Sequence, residues 1–305
     1  VSARPDRAQA GAMMRRAATA SVVVAAVLIA AKVGAWLATD SVAVLSSLLD
    51  SLLDAAASIV NLVAVRHALT PADEEHRFGH GKAEPLAGLA QSAFVCGSAV
   101  ILLMEAIHRL GSPQPVQRPE IGIAVSVLAI ALSAGLVWYQ RRVVARTGSV
   151  AIAADSLHYG ADALLNGAVV AAILIGAFLD APLVDPLFGA LISLWILRGA
   201  ARIARQSFDL LMDRELPPGD RERILRIARA RPEVLDVHDL RTRSAGTHIF
   251  VQMHIELDGD MRLARAHEIA DAVEHEIRAA YPNAEIIIHQ DPAGIDEPHR
   301  AAATA

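Results

Sequence analysis

The sequence predicts an α-helical membrane protein with six transmembrane helices followed by a small soluble α+β domain, and three observations predict it. The 305 residues are 54% hydrophobic with a mean hydropathy of +0.38, too apolar for an ordinary soluble domain. Apolar runs of about 20 residues with few charges recur through the first two-thirds of the chain, which is the length a helix needs to cross a bilayer. Charge is divided as well: residues 1–207 carry 16 basic and 14 acidic side chains, whereas residues 208–305 carry 12 and 19, a formal −7. This balance excludes intrinsic disorder and a nucleic-acid-binding module, so no nucleic acid is expected as a partner. The single cysteine, Cys96, has no partner, so neither a disulfide framework nor a thiolate zinc site forms within one protomer.

Six apolar segments follow in order, at 17–38, 42–65, 86–108, 121–140, 150–178 and 183–200, giving a six-helix membrane domain over 17–207. Arg4, Arg7, Arg15 and Arg16 precede the first, as in a signal peptide, but no A-x-A-like cleavage site followed by a soluble domain appears, and the segment reads as a retained span. Residues 1–16 are then a cytosolic amino-terminal segment. Orientation follows from the short loops. Arg66, Arg77, Lys82, Arg141, Arg142, Arg146, Arg202 and Arg205 lie on the side of the amino terminus, and the other side offers only Arg109 and Arg118, so both termini are expected in the cytoplasm of a multi-pass protein of the cell (inner) membrane.

Beyond residue 208 the pattern is helix, strand, strand, helix, strand. Pro217 and Pro218 start a helix over 218–231, a strand is expected near 234–243, and 247–258 alternates with Ile249, Val251, Met253, Ile255 and Leu257 on one face. A second helix over 261–280 places Leu263, Ala266, Ala270, Val273 and Ile277 on one stripe, and 284–290 forms the last strand. The domain occupies 208–292, and 293–305 reads as a flexible tail.

The second span contains SLLDSLLD, with Asp50 and Asp54 one helical turn apart on one face, and the fifth contains ADSLHYGAD, with His158 and Asp162 at the same spacing. An intramembrane aspartate is disfavoured by about 2.5–3.5 kcal/mol on the insertion scale, so four such residues need a compensating partner. Three carboxylates and one imidazole converging from two helices make a four-ligand site for Zn²⁺ or a similar divalent ion. Asp155, three residues before His158, sits closer to the membrane edge, where an interhelical hydrogen bond or a helix-end position is a simpler reading than a functional role. The loop PADEEHRFGHGKAE holds Asp73, His76 and His80, which can clasp a metal but are also what a polar loop ordinarily contains. Its GHGK stretch is not a phosphate loop, because Ala83 follows the lysine.

Seven of the twelve histidines fall in the soluble domain. His254 lies opposite the apolar stripe of its strand, His267 off the stripe of its helix, and His289 and Asp291 end the last strand in IIIHQD; His238 precedes DLRTR and completes a set of four histidines with one carboxylate able to bridge. His248, His275 and His299 read as solvated. HEIAD at 267–271 misses the zincin motif because its fifth position is Asp271, and no G-x-S-x-G or dinucleotide fingerprint is present, so no enzyme is expected.

The ordered series SLLDSLLD, PADEEHRFGHGKAE, ADSLHYGAD, LMDRELP, HDLRTR and IIIHQDP resembles the cation diffusion facilitators over about residues 15–292. The resemblance implies a homodimer with six spans per protomer and a cytosolic ferredoxin-like metal-binding domain. It implies a transport site at Asp50, Asp54, His158 and Asp162, and a loop site at Asp73, His76 and His80. In the cytosolic domain it implies a two-metal site at a dimer interface: His238, His254 and Asp291 for one ion; His267, His289 and Asp291 for the other; Gln290 adjacent. Lys82 and Asp213 resemble a pair that interlocks protomers at the membrane surface. The function it implies is proton-coupled antiport by alternating access, exporting Zn²⁺ first and Fe²⁺ or Cd²⁺ beside it, with protons as counter-ion and zinc also structural. His158 is the main proton-exchanging candidate, since an unperturbed imidazole titrates nearest neutral pH. The rivals are a metal-sensing membrane protein without transport and an intramembrane metal hydrolase; four protein ligands leave the latter no position for a metal-bound water.

Overall fold

The computed structural model describes residues 7–39, 42–111, 120–178 and 184–295. The chain divides into two compact units, one within Gln9–Phe208 and one within Asp209–Ala305.

The first unit consists of six long helices: α1 (Arg7–Thr39), α2 (Val42–Ala68), α3 (Ala83–Gly111), α4 (Glu120–Thr147), α5 (Val150–Phe178) and α6 (Val184–Leu211). Among the described residues, stretches of α1, α2, α3, α4 and α6 are apolar enough and long enough to cross a membrane, and α5 has 29 residues. Large side chains face outward in number, such as Val60 at 62% and Ile101 at 70% exposure, as they do when the surrounding medium is hydrocarbon. Alanines alternate with larger apolar side chains at the helix contacts. Met14, Ala17, Ala18, Val65, Val143, Ala151 and Ile152 join α1, α2, α4 and α5, while Val95, Ala99, Ala161, Ile196 and Ala200 join α3, α5 and α6. A Cβ on Gly199 would come within 2.9 Å of Leu157 Cδ1, so the Leu157 side chain packs directly over a position of α6 that has no side chain.

A tight turn holds α4 antiparallel to α5. Gly148 adopts φ +69° and its N–H donates to Val144 O at 2.8 Å, ending α4 with a left-handed residue. Ser149 Oγ then accepts the Ile152 N–H at 3.2 Å and caps α5. Glu84, buried at the start of α3, accepts further hydrogen bonds from the Ser149 hydroxyl and the Val150 and Ala151 N–H groups, so donors that every helix start leaves free are satisfied here.

The second unit runs α7 (Pro218–Ala228), β1 (Asp236–Ala245), β2 (His248–Leu257), α8 (Leu263–Ala280), β3 (Ala284–Pro292). The sheet order is β1-β2-β3, with β1 antiparallel and β3 parallel to β2. Val251, Met253, Ile255 and Leu257 of β2 pack in one core with Ile224 of α7 and Ala266, Ile269, Ala270, Val273 and Ile277 of α8. Tyr281 Oη donates to Asp220 Oδ1 at 3.0 Å and ties the end of α8 to the start of α7.

Three expectations change. The helices overrun their apolar stretches: α1 begins at Arg7, so part of the expected separate segment 1–16 is helical, and α4 and α6 continue to Thr147 and Leu211. Hydropathy marks only the hydrocarbon-crossing part, whereas the helix persists through arginine-rich turns, arginine being a good helix former. Leu263 leaves the apolar stripe of α8, being 79% exposed as the first residue of that helix, and Ile269 takes its place. The tail expected over 293–305 lies, from residue 296, outside the described residues, and Ala293 N–H still donates to Leu257 O at 2.8 Å.

Candidate metal centres

The intramembrane centre lies between α2 and α5. The i, i+4 spacing stands His158 above Asp162 on α5, and α2 presents Asp54 to both. One ligand atom from each of Asp54, His158 and Asp162 falls within 4.8 Å of the others. His158 Nε2 is 3.1 Å from Asp54 Oδ1 and 3.6 Å from Asp162 Oδ2, yet it is buried and makes no hydrogen bond. Tetrahedral donors around one zinc ion stand roughly 3.3 Å apart, so this nitrogen and these oxygens fit a shared cation better than they fit one another. Asp50, one turn earlier on α2, is exposed and outside this group.

Two neighbouring features lie outside the ligand set expected from the sequence. Lys32, an ionisable residue inside the first apolar run, donates from Nζ to Ser51 Oγ at 2.6 Å and to Ser47 O at 2.9 Å, and its charge acts on Asp54, Asp162 and Asp50. An intramembrane lysine is itself the signal that should have marked it. Asp155 is fully buried: Ser21 Oγ donates to it, Gln140 Nε2 at 2.6 Å and Gln91 Nε2 at 3.1 Å, which gathers α1, α3 and α4 around one carboxylate of α5. Tyr159, beside His158, donates to Ser21 O at 3.1 Å and pairs with Ser58 Oγ at 2.9 Å, so the metal-facing turn of α5 is tied to the same knot.

The loop centre is wound on Asp73. Asp73 Oδ1 accepts the N–H groups of Glu75 at 3.1 Å and His76 at 2.6 Å, and Gly79 with φ +77° reverses the chain so that His80 returns to it. His76 Nδ1 and His80 Nε2 each lie 3.3 Å from an Asp73 oxygen. The His76 N–H, with the two imidazoles behind it, holds the Asp73 carboxyl below the usual carboxylate range. His80 is buried with an unpartnered Nδ1, and His67, at the end of α2, meets its ring at 4.5 Å; the sequence offered no spacing that singled His67 out.

In the second unit the sheet register does the gathering. His238 pairs with His254 across β1 and β2, and His254 with His289 across β2 and β3, so three imidazoles form one row. Asp291 reaches all three: Oδ2 is 2.9 Å from His254 Nδ1 and 3.3 Å from His238 Nε2, and Oδ1 is 3.1 Å from His289 Nε2. Asp291 Oδ1 and His238 Nδ1 are buried without hydrogen bonds. Asp236, His238 and Glu256 form an adjoining donor group that spacing did not pick out. A register shift after His238, with Asp239 at φ +46°, ends the row and turns the strand. His267 does not join this cluster; it is exposed on α8 and its Nε2 lies 3.4 Å from Asp271 Oδ2. Gln290 points to the other strand face from His289 and Asp291 and donates to Ile288 O at 3.4 Å. Asp213 pairs with Arg243 at 3.3 Å within its own unit, and Lys82 stands in the turn before α3.

Two family models match the chain: the cation efflux transmembrane domain over residues 18–212 and the cation efflux protein cytoplasmic domain over residues 216–293. The cation-efflux pump FieF of Shewanella oneidensis is 47% identical over 93% of this chain and 95% of its own length. The pump of that name from Cronobacter sakazakii is 45% identical with the same coverage. The metal-bound C-terminal domain of the CzcD transporter from Thermotoga maritima is 31% identical over 26% of this chain and 93% of its own, with a TM-score of 0.25.

Proposed function

The chain belongs to the cation efflux family of membrane metal transporters, not to a family of enzymes, and from that premise we propose that it is a proton-coupled antiporter that exports a divalent transition metal from the cytoplasm as a homodimer. Zn²⁺ is the first cargo, with Fe²⁺ and Cd²⁺ admitted by one imidazole among carboxylates. The observation that carries this reading is the convergence of Asp54, His158 and Asp162 between two membrane helices around a buried nitrogen without a hydrogen bond. A sensor has no use for such a centre inside the bilayer.

Metal binds the deprotonated ligands, and protonation from the far side releases it. His158 and its two carboxylate neighbours therefore exchange protons for metal as the spans rock around the centre. Asp50 completes the set when α2 turns toward α5. The Asp73, His76 and His80 centre receives metal near the membrane surface. The row of His238, His254 and His289 with Asp291 holds structural zinc at the dimer interface, and His267 enters only if a second copy supplies it. Neighbouring protomers meet through Lys82 and Asp213. Both termini lie in the cytoplasm, with the protein in the cell (inner) membrane.

The test is zinc uptake into proteoliposomes with and without a pH gradient, for the parent and for Asp54→Ala. Gradient-driven uptake in the parent and none in the variant is expected; a folded parent that binds zinc but moves none would be a sensor.

A further inference from the structure

A groove runs between α4, α5 and α6 on the outside of the membrane unit, and it has two limbs of different chemistry. The first, of about 880 Å³, is walled by Trp138 and Ala134 of α4 and by Leu191 and Trp195 of α6, with Gly160 and Ala163 of α5 as its floor. Its depth comes from small residues: a Cβ added to Gly160 would meet only Val137 Cγ2, at 3.9 Å. The second limb, of about 400 Å³, shares Arg141, Ala145 and Trp195 with the first and adds Arg198 and Arg202 of α6. Arg142 stands beside the junction with its guanidinium 3.4 Å over the Trp138 ring. All four arginines are exposed, and among the described residues none of them is paired with a carboxylate.

Both tryptophans sit one turn or less from the arginines on the same helices, Trp138 before Arg141 and Arg142, Trp195 before Arg198. Tryptophan settles where hydrocarbon meets headgroups, so the arginine limb lies at headgroup level and the apolar limb below it. Four guanidiniums around one mouth, without a carboxylate partner among the described residues, leave a concentrated positive charge, and guanidinium is the side chain best shaped to grip a phosphate with two parallel hydrogen bonds.

We propose that this groove binds one anionic phospholipid of the surrounding bilayer, its phosphate gripped by Arg141, Arg142, Arg198 and Arg202 and an acyl chain laid between Trp138 and Trp195. A zwitterionic lipid fills the apolar limb equally well but brings its own cation to the arginines. The floor is the back of the α5 segment that carries His158 and Asp162. The lipid therefore braces the helix that presents two ligands of the intramembrane centre.

Native mass spectrometry of the detergent-purified full chain reads this without any transport measurement. Phosphatidylglycerol and phosphatidylethanolamine of identical acyl chains are titrated separately onto the parent, onto Ala134→Phe and onto the variant combining Arg141→Gln, Arg142→Gln, Arg198→Gln and Arg202→Gln. One phosphatidylglycerol should remain bound about tenfold more tightly than phosphatidylethanolamine on the parent. The arginine variant should lose that preference, and Ala134→Phe should weaken retention of both lipids with all arginines in place. Thermal melting in detergent identifies a variant that is merely unfolded, in which case the paired charge-swap Arg141→Glu and Arg198→Glu replaces it and must abolish the preference. Equal retention of the two lipids by the parent overturns the proposal, as does a preference that survives loss of the arginines. Unchanged retention by Ala134→Phe overturns the groove as its seat, and loss of a dimer mass in the arginine variant with lipid preference intact would mean that a second copy covers this face.

Discussion

The intramembrane centre and the sheet centre use the same side chains, histidine and aspartate, but assemble them by opposite routes. On α5, His158 and Asp162 meet because they are one helical turn apart, and only Asp54 comes from elsewhere. On the sheet, His238, His254, His289 and Asp291 come from three strands and meet through register. The environments differ too. His158 is buried among membrane helices, with Phe94 and Tyr159 against its ring, whereas His289 stands 62% exposed at the sheet surface. A centre made by helical spacing keeps its ligands together as long as one helix survives and can open by moving the other. A centre made by register holds only while the whole sheet is paired, which suits a site that binds and stays bound.

Breaking each centre separately tests that contrast. Asp54→Ala should abolish gradient-driven zinc uptake while zinc binding to the soluble unit, measured by calorimetry, stays at the parent value. Uptake surviving in that variant would remove α2 from the centre. Asp291→Ala should weaken zinc binding to the soluble unit by about 100-fold, because one carboxylate touches all three imidazoles there, and should leave some transport. Complete loss of transport in this variant would mean that the two centres work as one.

Asp155→Ala sharpens the comparison by attacking the support of the helical centre and none of its ligands. It leaves the buried Gln91 amide without its acceptor, which costs about 1–3 kcal/mol for that group, while the Gln140 amide keeps Ser21 Oγ and the Ser21 hydroxyl keeps Ala17 O as acceptors. Thermal melting in detergent should drop accordingly while zinc affinity at the sheet changes little. The smallest effect is at the loop. Asp73 is held below the usual carboxylate range, so the turn it organises is present at neutral pH, persists as pH falls through the ordinary value near ~4, and is lost only below it. Amide exchange of Glu75 and His76 should remain slow down to that range; fast exchange already at neutral pH would show that Asp73 does not organise the turn.

Much of the helical centre was readable because its information is local: Asp54, His158 and Asp162 declare themselves inside apolar runs, whereas Asp50, which the same spacing offered, lies outside the group. Lys32 was as visible by the same rule, since a lysine within a span is rarely idle. The partners of Asp155 were not legible, because burial depends on what other helices bring, and Ser21, Gln91 and Gln140 lie far from it in sequence. The sheet centre was legible only as a list of histidines. Nothing in the spacing of His238, His254 and His289 says that they fall in one row, that Glu256 and Asp236 adjoin it, or that Gln290 faces away and His267 stands apart.

By itself, the sequence determined six long apolar helices, a small α+β unit and the one-turn spacing of His158 and Asp162, because hydropathy and helical periodicity are properties of neighbouring residues. Only the tertiary structure decided which carboxylates face which imidazoles, which polar groups are buried together, and where exposed arginines meet an apolar groove. Those outcomes depend on close approach between residues distant in the chain, and such approach is set by small side chains at helix contacts and by strand register, neither of which has a period that a single segment can reveal.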